Sequence, residues 1–231
     1  MQPDTPLGNP LLDAFLASDP HDAATAATRD ALIARYGFAI PDDDALDAIV
    51  AASPHGIVEI GAGTGYWARL LHDRMPGGIR AFDTDPPPSV TSAWFAGSMP
   101  WFEVRHGDET VADQAAPSTL LLVWPTRNET WGMDAAQRHH AAGGTTLVFV
   151  GEGPGGHTGD DGLHATLGEL SVCAPCRYGV VSSPCICEIN PRWRRVHEIM
   201  IPTWPGFGDS VRIFERVDHP RRRSRFSLRR G

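Results

Sequence analysis

The sequence predicts an α/β domain built on a parallel sheet, and three observations carry that prediction. Short apolar, β-branched runs alternate with helical patterns. The first run ends in a glycine-rich turn that opens a helix. At 231 residues and 42% apolar composition, the chain suffices for one well-buried domain and is too short for two large ones.

Taken in order, "SDPHDAATAATRDALIARYG" reads as a helix with Ser18 or Asp19 as N-cap, Pro20 in the first turn and Gly37 past the end. A second helix follows Pro41, with Asp42 or Asp43 capping "DALDAIVAA". Five strand-like runs come next: "GIVEI" (56–60), "IRAF" (79–82), "FEVR" (102–105), "TLLLV" (119–123) and "TTLVFV" (145–150). Helical segments fit between them at Tyr66–Arg74, around Val111–Ala115 and at Met133–Ala142. Strands alternating with helices argue for parallel pairing through right-handed crossovers. The stretch after Asp85, "PPPSVTSAWFAGSMPW", reads as loop where a crossover helix would be expected. Two late runs, "RVHEIMI" and "SVRIFERV", suit a closing antiparallel pair. No internal repeat is present.

Charge narrows the partners. The tail "HPRRRSRFSLRRG" carries six Arg and no acid, so the net −8 of the whole chain leaves −14 for residues 1–218. An acidic body is a poor match for a phosphate backbone and argues against a nucleic-acid partner. The tail reads as a solvated, disordered end at 219–231, with an acidic or anionic partner as the alternative. No apolar run reaches the roughly 18 residues a membrane helix needs, and the N-terminus lacks a secretory pattern. The expected location is therefore cytoplasmic, with residues 1–18 a flexible N-terminus and residues 19–218 the folded domain. All 20 basic residues are Arg, which with the Ala, Gly and Pro richness points to a GC-rich bacterial genome.

The stretch "VEIGAGTGYWARLL" says most about chemistry. A glycine-rich turn after the first strand aims a helix N-terminus at a ligand. The dinucleotide fingerprint needs a third glycine where Tyr66 stands, and the phosphate-loop Gly-Lys-Ser/Thr is absent. Glu59 precedes the turn, where a carboxylate would repel a pyrophosphate and suit a cation. S-adenosylmethionine, with a sulfonium, an ammonium and no phosphate, meets that requirement.

"VEIGAGTGYW" resembles motif I (E-x-G-x-G-x-G) of the class I S-adenosylmethionine-dependent methyltransferases. The resemblance spans roughly residues 30–217 and implies a Rossmann-like, seven-stranded, mostly parallel sheet with an antiparallel last strand and helices on both faces. It implies Gly61, Gly63 and Gly65 against the cofactor and Glu59 orienting the loop or the cofactor's amino end. Asp83 in "AFDTDPP" matches the acid that meets the ribose hydroxyls, with Asp85 as the alternative. Asp108 in "RHGDET" matches the acid near the adenine amine. Tyr36 in "RYGFAIP" and the strand-four exit, Trp124-Pro125, complete the expected cofactor set. Two departures stand out: strand four begins without an acid, and "VWP" is not the [DN]-P-P-[FYW] motif of amino-methylating members, so their substrates do not carry over.

The loop "GEGPGGHTGDDGLH" follows strand five, at the end of the sheet where such sites open, and holds Glu152, His157, Asp160, Asp161 and His164. His157 is the first choice for a general base and Asp160 the second. The alternative is that Thr158 or Asp160 caps the helix starting near Gly162. Trp124 is placed at the pocket wall, whereas Trp193 and Trp204 suit core or edge packing.

All four cysteines fall in "CAPCRYGVVSSPCIC", as Cys173, Cys176, Cys185 and Cys187. C-x-x-C followed by C-x-C has the reach for a tetrahedral structural zinc site in an insertion at about 171–192. Two buried strand cysteines beside a chance turn are the alternative. The expected function is methyl transfer to a small-molecule or peptide acceptor. The alternatives are a catalytically silent cofactor-binding subunit, or the same fold turned to a non-methylating reaction.

Overall fold

The computed structural model describes residues 8–18, 24–170 and 189–218. Within them the chain runs α1 (Pro10–Leu16), α2 (Ala24–Tyr36), α3 (Asp43–Ala51), β1 (Ile57–Ile60), α4 (Tyr66–Arg74), β2 (Ile79–Asp83) and β3 (Val104–His106). A 3-10 helix over Glu109–Gln114 leads to β4 (Thr119–Val123), α5 (Trp131–Ala141), β5 (Thr146–Gly151), α6 (Asp161–Thr166), β6 (Trp193–Met200) and β7 (Ser210–Arg216).

The seven strands form one sheet in the order β3-β2-β1-β4-β5-β7-β6. Strands β1 to β5 pair in parallel, and β7 slots antiparallel between β5 and β6. This is the seven-stranded, mostly parallel sheet with an antiparallel last strand that the resemblance implies. Alternation along the strands gives the sheet two apolar faces. Ile57, Leu121, Val148 and Ile213 join a core with α1 to α4, while Val58, Leu120, Leu147 and Phe214 join a second core with α5 and α6. Both faces are covered, which is why the central strands read as continuous apolar runs.

Local signals set the helix ends. Asp42 caps α3, its side chain accepting from the Ala45 N–H at 2.9 Å. The early region departs from expectation. Residues 1–18 were expected to be flexible, but Pro10–Leu16 is helical, with Asn9 accepting from the Leu12 N–H and Leu11 wholly buried. The cause is tertiary: the Tyr66 hydroxyl accepts from the Leu11 N–H and donates to Asn9 Oδ1. The proposed start of the next helix at Ser18 or Asp19 falls largely outside the described residues, as do all four cysteines and the Arg-rich tail. β3 lies at 104–106, two residues later at its start than the run suggested. Trp193 and Trp204 are core residues, 1% and 2% exposed, with indole N–H groups donating to Ala136 O and Phe38 O. No described helix is long and apolar enough to cross a membrane.

Candidate active site

A cleft of about 1080 Å³ opens where β1 and β4 part company, at the carboxyl ends of the strands. That is where ligands enter open α/β sheets. Its wall includes Tyr36, Glu59, Gly61, Gly63, Asp83, Asp108, Trp124 and His157, so most residues expected from sequence do converge.

Glu59 is the most unusual of them. It sits on β1, 1% exposed, with Oε2 buried and unpartnered. Burial, reinforced by the nearby Asp83 carboxylate, pushes its pKa up to about 8, against a smaller opposing pull from the Ala68 N–H in the first turn of α4. Gly65, the N-cap of helix α4, offers no side-chain cap, and the Glu59 carboxyl accepts from the first turn of that helix from the strand beneath. A buried carboxyl with a free oxygen at a cleft wall is a group awaiting a donor.

Asp83 ends β2 and braces the glycine turn. Its Oδ2 accepts from the Gly63 N–H at 2.8 Å and its Oδ1 from the Asp85 N–H at 2.9 Å. Each oxygen keeps further acceptor capacity. Asp108 caps the 3-10 helix through Thr110, and those two hydrogen bonds hold its pKa below the usual carboxylate value.

The glycines also answer to the chain's own packing. Gly61 and Gly63 have φ of 75° and 52°, and a Cβ on either would come within 2.6 Å of the Trp131 ring or 2.5 Å of the Phe95 ring. The close approach that requires glycine is thus to the chain's own aromatic rings, which roof the turn. Gly65 packs under Val104 and Phe102 and is not part of the cleft wall. Pro125 is also off the wall: its carbonyl accepts from the Gly159 N–H, and it packs against Gly132 of α5.

One end of the cleft is made of rings. Phe38 and Trp124 stack face to face, 4.5 Å apart with 4° between planes. Trp94 meets Phe38 edge-on, and Phe207 tilts against both Trp124 and His157. Trp124 holds a left-handed backbone (φ 50°), unusual for a bulky residue. Its indole N–H donates to Asp209 Oδ1 at 2.9 Å. Burial pushes Asp209 up to about 6, against a partial pull downward from that indole N–H.

His157 places Nδ1 2.7 Å from Glu152 Oε2. Glu152 also accepts from the His157 and Gly208 N–H groups. Burial alone would raise the Glu152 pKa, but those hydrogen bonds outweigh it and hold the carboxyl below its usual range. An ionised Glu152 can only accept, so Nδ1 carries the hydrogen, and it is the neutral form of the ring that offers a lone pair at Nε2. Asp160, by contrast, is spent as the N-cap of α6, accepting from the Leu163 N–H at 2.9 Å, and it is not in the cleft wall. His164 is buried, its Nε2 3.1 Å from Thr158 O. The base candidates thus reduce to His157.

Sequence reasoning missed Asp209 as the carboxylate behind Trp124, Phe38 as its stacking partner, and the roof formed by Phe95 and Trp131. The only signal for Phe95 was the aromatic density of "AWFAGSMPWF" in a stretch with no helical pattern. Among the described residues, no group of three or more His, Cys, Asp or Glu could hold a metal ion.

No protein-family model matches the chain, and no curated protein matches it in sequence. Solved structures resemble it in fold. Magnesium protoporphyrin IX methyltransferase (ChlM) from Synechocystis PCC 6803, with bound SAH, shares 10% identity over 91% of this chain and 94% of its own, with a TM-score of 0.41. TrmN from Thermus thermophilus shares 11% over 93% of this chain and 55% of its own (TM-score 0.43). A variant of MtNAS in complex with S-adenosylmethionine shares 15% over 91% and 74% (TM-score 0.40). Likenesses at this level assign neither a substrate nor a cofactor to this chain.

Proposed function

We propose that the protein is an S-adenosylmethionine-dependent methyltransferase acting on a small-molecule or peptide acceptor. The observation that carries this reading is Glu59: a fully buried carboxyl with an unpartnered oxygen at the cleft wall, beside a glycine turn. An ammonium or sulfonium beside it favours the ionised carboxylate and gains an opposite charge, whereas a phosphate would keep the carboxyl protonated and gain no charge pairing. The residues present fit the group. Glu59 would face its cationic end, Asp83 would accept from ribose hydroxyls, and Asp108 would lie near the base.

When bound, that cofactor supplies an electrophilic methyl group. The chain's own contribution is to position the acceptor between Trp124 and the sheet ends and to take its proton on His157 Nε2, with Glu152 fixing the tautomer. The intact His157–Glu152 pair at the cleft favours an enzyme over a silent binding subunit.

Asp83→Ala tests the cofactor half. It removes an acceptor that braces Gly63, and the affinity for S-adenosylmethionine is expected to fall by about 1–3 kcal/mol in titration calorimetry. Unchanged affinity would remove Asp83 from the site.

The cysteine spacing supports a structural zinc in the 171–192 insertion. Native mass spectrometry should find one zinc per chain, lost together with stability in Cys176→Ser. A metal-free, equally stable protein would make these cysteines packing residues.

A further inference from the structure

Two of the side chains at the ring-lined end of the cleft that carry a ring nitrogen, Trp124 and His157, are each backed by a carboxylate. Trp124 donates its indole N–H to Asp209, which is 1% exposed, and His157 holds Glu152. A hydrogen bond from a ring N–H to a carboxylate feeds electron density into the ring, which strengthens the attraction of its π-face for positive charge. Phe38, Trp94 and Phe207 extend the same wall. Trp94 remains 57% exposed although it packs edge-on against Phe38, leaving ring surface open to a ligand. Charge points the same way: carboxylates outnumber guanidinium groups seven to two along the cleft. Arg29 lies 3.1 Å from Asp30, and Arg127 shares its loop with Glu129, which also reaches the wall.

Resting on the reading above, we propose that the methyl acceptor is an organic cation, a protonated amine, held against the Trp124–Phe38–Phe207 wall with its nitrogen near His157. A carboxylate, phosphate or phenolate acceptor would meet electron-rich rings backed by the buried Asp209 and the half-buried Glu152. The bound ammonium first gives a proton to His157 Nε2, exposing the nitrogen lone pair. That pair forms the new N–CH3 bond as the S–CH3 bond breaks and its electrons leave on sulfur. The positive charge passes from sulfur to the methylated nitrogen, and the imidazolium returns its proton to water.

The test uses the full chain and non-reactive probes: benzyltrimethylammonium, benzenesulfonate and phenol, each followed by tryptophan fluorescence with and without saturating demethylated cofactor product. The cation should bind roughly tenfold or more tighter than either other probe, with product present as well as absent. Asp209→Asn should weaken the cation severalfold and leave product affinity unchanged. The exposed Trp94→Ala should weaken it too without a folding penalty. Benzenesulfonate or phenol binding as tightly as the cation, or no probe binding while the product binds, overturns the proposal. Failure of the product itself to bind would instead strike at the cofactor reading.

Discussion

Replacing His157 with alanine is expected to lower turnover by roughly a hundredfold or more while leaving cofactor affinity nearly unchanged. A positioned general base is typically worth that much, and among the described residues His157 is the histidine on the cleft wall, with Nδ1 tied to Glu152. Because it stands at the acceptor end, the loss belongs in the rate and not in cofactor binding. Glu152→Gln should reproduce part of the effect, since the amide can still meet Nδ1 but no longer fixes which ring nitrogen holds the hydrogen. Single-turnover kinetics and cofactor calorimetry on the same variants check both halves. Equal rates in wild type and His157→Ala would put proton removal elsewhere.

The second large effect concerns Glu59. Its pKa of about 8 in the folded protein stands above the 4.5 of an ordinary glutamate. The stability this group contributes is therefore fully present below about pH 4.5 and is lost as pH rises through about 8. At neutral pH most of the free protein carries a proton there. Glu59→Gln has no such charge to bury. Its stability relative to wild type should rise with pH between about 5 and 9, by an amount on the order of a few kcal/mol. Asp209, raised to about 6, gives the wild type a smaller loss of the same sign at lower pH, and it is common to both proteins. Binding reads the same group in reverse. A cation beside Glu59 favours the ionised form, so wild type should release up to one proton on binding at pH 7 and bind more tightly as pH rises to about 8. The Gln variant should release none and bind about a hundredfold or more weakly, the cost of leaving a buried cation unpaired. Calorimetry in two buffers of different ionisation enthalpy measures the proton count. Equal proton release in both proteins would detach Glu59 from the ligand.

Much of the fold was legible because its signals are local. The runs around Ile57, Leu120 and Leu147 are continuous and apolar, as strands buried on both faces must be. Pro41 and the acids after it announced α3, and the structure makes Asp42, one of the two caps offered, the N-cap. The glycine turn and Asp83 were placed by the resemblance to motif I and its strand-two acid, and the β1–β2 pairing brings them together in the Gly63–Asp83 bond. What stayed hidden depends on partners far apart in the chain. Trp124 and Asp209 are 85 residues apart, and no spacing rule joins them. Helix α1 rests on Tyr66, more than 50 residues away. Asp160 carried two readings, cap and base, that only the geometry of α6 separates. Gly61 and Gly63 were read as making room for a ligand, whereas the nearest atoms they accommodate are those of Trp131 and Phe95. That packing sets where along the turn a ligand can lie.

The most direct test of the central claim is titration of the wild-type chain with S-adenosylmethionine, its demethylated product and a nicotinamide dinucleotide, by calorimetry at pH 8. Saturable one-to-one binding of the first two, with no heat from the dinucleotide, is the result that Glu59 and the glycine turn predict. Tight dinucleotide binding, with no signal from either adenosyl compound, would contradict it.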